Sequence, residues 1–249
     1  MMSVFNKKYS DVYDLINKNK NYDQESLFIL KLIKKYKIKD KKILDLGSGT
    51  CEHHKFFIKR NYKMTGVEKS LSMIQVAKKK KIKSTIIKKN ILDLKLKEKF
   101  LIITSLFHVI CYFTKDFELK KFFRVAASHL DKNGVFIFDY WYSPAVKFLK
   151  LKKTKKKFTN TELSVQRNSE SFFLKGNIVK VIFNFTCNFF KKKINSRFTE
   201  IHYVRHFNVS ELINFAKESN LTFLSSLKML HNSRPSKKTW SACLVFKKK

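Results

Sequence analysis

Over residues 42–139 short unbroken apolar runs alternate with stretches in which apolar residues return every three or four positions, the signature of strands alternating with helices. Lys42–Leu46, Lys63–Glu68, Ser84–Lys88, Phe100–Ser105 and Gly134–Asp139 read as strands; Glu52–Lys59, Leu71–Lys81 and Phe117–Leu130 read as the helices between them. Residues 3–36 read as an earlier pair of helices. Strands separated by helices are joined by crossovers, which give a mostly parallel sheet covered on both faces. After Pro144 the period shortens to two: Thr161–Glu170, Asn177–Phe189 and Ser196–Arg205 alternate with no helix among them, which predicts an antiparallel insertion after the fifth strand. Asn208 followed by Glu211 has the form of a capping box opening a helix to about Ser219. Leu221–Leu230 and Thr239–Phe246 then complete seven strands. The expected organisation is one α/β domain over residues 1–249, with a helical cap at 1–40, a core at 41–142, the insertion at 143–206 and a closing helix and strands at 207–249.

Composition sharpens this. A chain of 249 residues, 44% apolar and with 25 phenylalanines, carries enough material for one large core, which excludes a disordered polypeptide. The formal charge of +35 raises the question of a polyanionic partner. The lysines, however, are spread along the whole chain, and the dense runs Lys78–Lys81 and Lys150–Lys157 read as solvated faces or loops, which argues against a nucleic-acid partner. Four widely spaced cysteines show no metal-ligand spacing and no disulfide framework, so no metal is expected and a cytoplasmic location fits. Met1–Tyr9 lacks the apolar segment of a signal peptide, and Phe100–Thr114, the longest uncharged run, is too short for a membrane helix.

The candidate chemistry lies in Ile43-Leu44-Asp45-Leu46-Gly47-Ser48-Gly49-Thr50-Cys51, a strand ending in an acid and running into a glycine turn. A dinucleotide site calls for G-x-G-x-x-G, its third glycine opening a helix that faces a pyrophosphate. Glu52 stands there instead, and a carboxylate at a helix N-terminus opposes an anion. S-adenosylmethionine makes other demands: an amine, a carboxylate, a sulfonium and two ribose hydroxyls, but no phosphate. Asp45 is placed to accept hydrogen bonds from the amino-acid end, and Glu68, about 20 residues beyond the turn, is spaced to reach ribose hydroxyls. A generic glycine turn beside an unrelated acid is the competing account.

Asp-Leu-Gly-Ser-Gly-Thr followed by Gly-Val-Glu resembles motifs one and two of the class I S-adenosylmethionine-dependent methyltransferases. Ser105–Ile110, Leu130–Gly134, Phe138–Val146 and Glu200–Phe207 are similar to a bacterial branch that N-methylates nucleotide-linked amino sugars, over about residues 5–245. The resemblance implies a Rossmann-like sheet and cofactor contacts from Tyr13, Asp45, Gly47, Ser48, Gly49, Glu68, Lys69, Met73, Asn90, Ile91, Ser105 and Leu106. Two positions depart from its pattern. Cys51 replaces a usual third glycine, which is tolerable if that position only sets packing. Asn90 replaces an acid that accepts from the adenine amine; an Asn carbonyl oxygen still accepts, and Asp93 is the fallback.

His108, just beyond the fourth strand, is the candidate catalytic base, with a structural histidine as the alternative. Tyr112, Tyr140, Trp141 and Tyr142 lie beyond the same edge and are candidates to wall an acceptor pocket, against plain core packing. Tyr9 and Tyr13 resemble family tyrosines that close over cofactor and acceptor. His202 and Arg205 are candidates for a substrate phosphate, against a surface salt bridge. His53 and His54 read as packing or capping groups. The resemblance implies a small polar partner, a nucleotide-linked amino sugar or a glycan precursor, bound by a monomer or homodimer. A nucleic-acid methyltransferase and a non-catalytic basic module are the competing functions. The first lacks the Asp/Asn-Pro-Pro-aromatic segment at the fourth strand's end, where this chain has Ser105–His108; the second is opposed by the intact Asp45, Gly47, Gly49 and Glu68.

Overall fold

Five strands run parallel at the centre of the molecule: β1 (Lys42–Leu46), β2 (Lys63–Glu68), β3 (Thr85–Lys88), β4 (Phe100–Ser105) and β5 (Leu130–Trp141). With β10 (Leu221–Lys228) and β11 (Ser241–Lys248) they form one seven-stranded sheet in the order β10-β11-β5-β4-β1-β2-β3, β11 lying antiparallel to both neighbours. The structure, a computed structural model, describes residues 5–191 and 194–249. Positions 3 and 4 of the first predicted helix lie outside these.

Period-two alternation divides each central strand between two cores. Leu44, Phe136, Phe138, Leu244 and Phe246 face one side, where α5 (Asp116–His129) and α7 (Val209–Lys217) pack through Phe122, Phe123, Leu212 and Phe215. Ile43, Val135, Ile137, Cys243 and Val245 face the other, against α2 (Tyr22–Lys35) and α3 (Glu52–Ile58) through Phe28, Ile33 and Phe57. Sandwiching the sheet in this way removes both its faces from water, which accounts for the unbroken apolar stretches Ile43-Leu44, Phe100–Ile103 and Val135–Phe138 in its central strands. The two remaining early helices, α1 (Lys7–Ile16) and α4 (Leu71–Lys79), meet over a third apolar cluster of Tyr9, Val12, Ile16 and Met73.

The insertion holds four antiparallel strands, β6 (Thr154–Thr159), β7 (Leu163–Leu174), β8 (Ile178–Phe189) and β9 (Ile194–Arg205), in sequential order. Two of its elements depart from expectation. Pro144 sits in the first turn of a short helix, α6 (Ser143–Phe148), where its missing N–H is not needed. The lysine run Lys150–Lys157, expected to be a solvated face or a loop, divides between the two: its second half enters β6, an edge strand whose residues, Phe158 apart, are exposed, so that lysines both occupy it and discourage further strand addition.

The capping box at α7 is also absent. Asn208 makes no side-chain cap, and Glu211 turns away from the Asn208 N–H to pair with Arg205 at 2.5 Å. The reciprocal half of that motif occurs instead at α5, where Glu118 accepts from the backbone N–H of Lys115.

Candidate active site

The chain leaves β1 through a turn that its own backbone ties to β2: the N–H groups of Gly47 and Ser48 both donate to the Val67 carbonyl, at 2.8 and 3.1 Å. Three residues of this turn have left-handed backbones, Gly47 at φ +90°, Gly49 at +54° and Cys51 at +60°. Cys51 therefore occupies a position with a conformational demand as well as a packing one, which corrects the reading that packing alone is set there. The two glycines differ. A Cβ on Gly47 would lie 2.7 Å from both methyl groups of Val109, whereas a Cβ on Gly49 would meet nothing within 4 Å. Gly47 fits the turn to the following elements, and Gly49 leaves its outer surface open to a ligand.

One acid braces the turn and a second is buried beneath it. Glu68, at the tip of β2 and 8% exposed, accepts from the N–H of Gly49 at 3.0 Å and of Ser70 at 2.7 Å. Burial raises its carboxyl above the usual range, and these backbone donors oppose that rise. Asp45 lies beneath the turn, taking a hydrogen bond from Thr104 Oγ1 at 2.8 Å and facing His54 Nε2 at 3.2 Å. Burial works against the charged imidazole, but its contacts with Asp45 and Cys51 outweigh burial and lift His54 to about 9. His54 is thus a brace for Asp45, not a cap.

The residues expected to border an adenine are placed differently from one another. Asn90 caps a short 3-10 turn by accepting from Leu92 N–H, while Ile91 is buried in the main core. Asp93 is exposed and paired with Lys121 at 2.7 Å, which removes it as the fallback for the adenine amine. Lys69 is exposed, and Met73 belongs to the α1 cluster. Ser105 donates to the Leu46 carbonyl at 2.7 Å, locking β4 to the end of β1, and Leu106 is buried beside it.

Beyond β4, Phe107 and His108 both take left-handed conformations, at φ +68° and +61°. Such backbones cost about 1 kcal/mol or more per residue outside glycine and persist only where the surroundings enforce them. Asp139, at the end of β5, supplies that enforcement: one carboxylate oxygen accepts from His108 N–H at 3.0 Å and the other lies 3.2 Å from His108 Nε2. Ser241 Oγ, on β11, is 3.0 Å from the same nitrogen. With Nε2–H directed at the carboxylate, the lone pair of His108 sits on Nδ1, for which the described residues provide no partner. Burial lowers the imidazole below its usual value although Asp139 acts to raise it, so the ring is neutral near pH 7.

An aromatic row leads away from this histidine. Tyr13 packs 6.4 Å from Phe107 and 5.7 Å from Tyr9, and Tyr9 packs 5.4 Å from His202. His202 Nδ1 is bonded to the Tyr112 hydroxyl at 2.8 Å, its buried Nε2 has no partner, and burial lowers it to about 4. Trp141 and Tyr142 are half-buried, Trp141 packing edge-on against Trp240 at 4.9 Å. Tyr140 is fully buried with Phe138, which is the core-packing alternative. Arg205 likewise meets its alternative: Asp116 and Glu211 hold its guanidinium at 2.6 and 2.5 Å.

Sequence reasoning passed over a second charged group. Lys20, in the loop before α2, pairs with Glu25 and lies 4.1 Å over the Phe107 ring; His53 Nε2 meets the other Glu25 oxygen at 2.7 Å. Burial would raise Glu25, but His53 and Lys20 hold it down at about 2. Asp139 was detectable as a lone acid closing an apolar strand. Lys20 carried no signal in a chain with 54 basic residues. Among the described residues no cluster of metal-ligating side chains occurs, and no helix is long and apolar enough to cross a membrane.

Residues 43–134 match the family profile described as a methyltransferase domain. The chain is 28% identical over 143 residues to dTDP-3-amino-3,4,6-trideoxy-alpha-D-glucopyranose N,N-dimethyltransferase of Streptomyces venezuelae, a match covering 57% of this chain and 60% of that one. It spans between 56% and 60% of the length of the curated relatives it matches. Among solved structures, Streptomyces venezuelae DesVI superposes with a TM-score of 0.83 at 23% identity, over 97% of this chain and 98% of that one. The sugar N-methyltransferase KedS8 from Streptoalloteichus gives 0.83 at 20% identity, over 100% and 97%. The fold is that of class I methyltransferases.

Proposed function

We propose that this chain, whose residues 43–134 carry a methyltransferase domain, transfers methyl groups from S-adenosylmethionine to the amine of a nucleotide-linked amino sugar. The observation that carries the reading is the Gly47–Gly49 turn, open above Gly49 and held by a carboxylate at the tip of the next strand. S-adenosylmethionine, when bound, supplies a methyl group on a sulfonium whose sulfur leaves with the S–C electron pair. Glu68 is assigned to the ribose hydroxyls, the turn to the amino-acid end, and Asp45 to holding that turn in shape. Asn90 and Ile91 border the base, with Tyr13 above the cofactor.

Methyl transfer to nitrogen is a direct displacement, so alignment of the acceptor is the main requirement. The walls for that task are Tyr9, Tyr112, Trp141, Tyr142 and His202, contributed by the N-terminal helices, the sheet edge and the insertion. The nitrogen lone pair forms the new N–C bond, and the resulting ammonium releases one proton. His108 Nδ1 is assigned to take it, a role supported by the Asp139 carboxylate beside Nε2. All four cysteines are free and buried, which supports a reducing compartment such as the cytoplasm.

Incubation with methyl-labelled S-adenosylmethionine and a dTDP-linked 3-amino or 4-amino sugar tests the reading. Label should appear on the sugar nitrogen. Transfer to no amino sugar, with transfer to RNA instead, would replace it with the nucleic-acid alternative.

A further inference from the structure

The inner face of the inserted sheet, turned toward α1, carries Arg167, Phe183, Glu200 and His202 from three adjacent strands. Two of its polar groups have partners within the protein, although His202 keeps its Nε2 unpaired. Glu200 accepts from Phe5 N–H at 2.6 Å and Asn6 Nδ2 at 2.8 Å, and His202 is bonded to Tyr112. Arg167 differs: among the described residues it has no ion-pair partner, and its buried Nε has no hydrogen-bond acceptor. Burial disfavours its charge, and the Tyr9 hydroxyl, not a carboxylate, opposes that effect. Unpaired surface lysines are ordinary in a chain with 54 basic and 19 acidic residues. A half-buried arginine with no carboxylate beside it is not, because burying a charge without a partner is costly; Arg205, whose Nε is likewise unsatisfied, has two carboxylates.

The guanidinium is nonetheless firmly placed. It lies 5.4 Å from the ring centre of Phe158 and 5.3 Å from that of Phe183. Two aromatic rings hold the cation through their faces while consuming none of its N–H groups. Phe183 in turn packs 5.2 Å from His202, and from there the aromatic row runs through Tyr9 and Tyr13 to Phe107 and His108. His108 and Arg167 thus stand at opposite ends of one continuous wall.

We propose that Arg167 is the anchor for the diphosphate of the acceptor, and that it sets the enzyme's preference for nucleotide-linked over free amino sugars. The assignment rests on the function proposed above. An acceptor whose amine faces His108 directs its nucleotide diphosphate away from that residue, toward the other end of the row, where the planar guanidinium edge matches phosphate oxygens in a bidentate manner. Arg205, the arginine that strand pattern favoured, is held by Asp116 and Glu211 and has no free fork to offer.

The test is calorimetric titration of thymidine 5′-diphosphate, and separately of inorganic pyrophosphate, into the full chain saturated with S-adenosylhomocysteine at fixed ionic strength. Arg167→Met should weaken thymidine diphosphate binding about tenfold or more with S-adenosylhomocysteine affinity unchanged. Arg167→Lys should fall between, keeping the charge but losing the fork. Arg197→Met, on the exposed outer face, should bind as the parent does, showing that the effect is not one of net charge. Parental affinity in Arg167→Met overturns the anchor while leaving the nucleotide-linked acceptor standing. Should that variant not fold, parental affinity in Arg167→Lys overturns it equally. If the parent chain binds S-adenosylhomocysteine but not thymidine diphosphate, or binds pyrophosphate as tightly, the nucleotide-linked reading itself fails and the anchor with it.

Discussion

His108 shows how a single residue's backbone and side chain are set by one neighbour. Its left-handed conformation is unfavourable in isolation and is held by the same Asp139 carboxylate that fixes the ring tautomer. Two outcomes follow for the proposed base. His108→Ala should lower kcat about a hundredfold while leaving cofactor affinity nearly unchanged. A lowered histidine is unprotonated, and so active, down to a pH below its ordinary value of about 6.5, and the acid limb of kcat should lie there. Because Asp139 acts to raise His108, Asp139→Asn should move that limb further toward acid. A limb that stays fixed in the variant would remove His108 from proton transfer. At this scale the sequence was informative where chemistry leaves a local mark: Asp45, Gly49, Glu68 and His108 could be picked out from strand ends and a glycine turn. It was uninformative for Lys20, Arg167 and Arg205, since which of several basic residues finds an acid is decided by pairing between strands and helices distant in the chain.

Among the elements, the doubly covered strands were legible because burial on both faces writes an unbroken apolar run. The inserted strands were legible from strict alternation, except β6, whose lysines hide an edge strand inside what resembles a charged loop. The α7 cap failed for an instructive reason: a glutamate three residues into a helix reaches back only when no arginine competes for it, and Arg205 does. The inserted sheet also carries a pH dependence. His202 and, next to Ser143, His206 are both lowered to about 4 by burial. In the unfolded chain they titrate near 6.5, so their neutral burial contributes stability that is complete above that pH and is lost as pH falls toward 4. His54, raised to about 9, has the opposite sign: its contribution is complete below about 6.5 and is lost as pH rises through 9. Thermal melts should therefore peak between these windows. His202→Phe should flatten the acid side, and an unchanged acid slope would contradict the assigned burial.

For the molecule as a whole the dominant fact is the charge of +35. Like charges at this density repel in the folded state, and salt screens them over about 10 Å at 0.1 M. The melting temperature should rise between low and moderate ionic strength, whereas kcat/KM for a phosphorylated acceptor should fall over the same range as steering is lost. A melting temperature that declines with salt would mean that attractive ion pairs, not repulsion, set the balance. The sheet is legible without this charge: alternation of apolar runs and the glycine turn point to a class I methyltransferase sheet, and apart from paired residues such as Lys20 and Arg205 the basic side chains decorate it.

The central claim is that the turn between β1 and α3, braced by Glu68, holds S-adenosylmethionine. Calorimetric titration of S-adenosylhomocysteine into the parent chain and Glu68→Ala tests it most directly. Each hydrogen bond to a charged group contributes about 1.5–3 kcal/mol, so the parent should bind one equivalent and the variant at least about tenfold more weakly. Equal affinity in the two proteins, or no binding in either, would contradict the account.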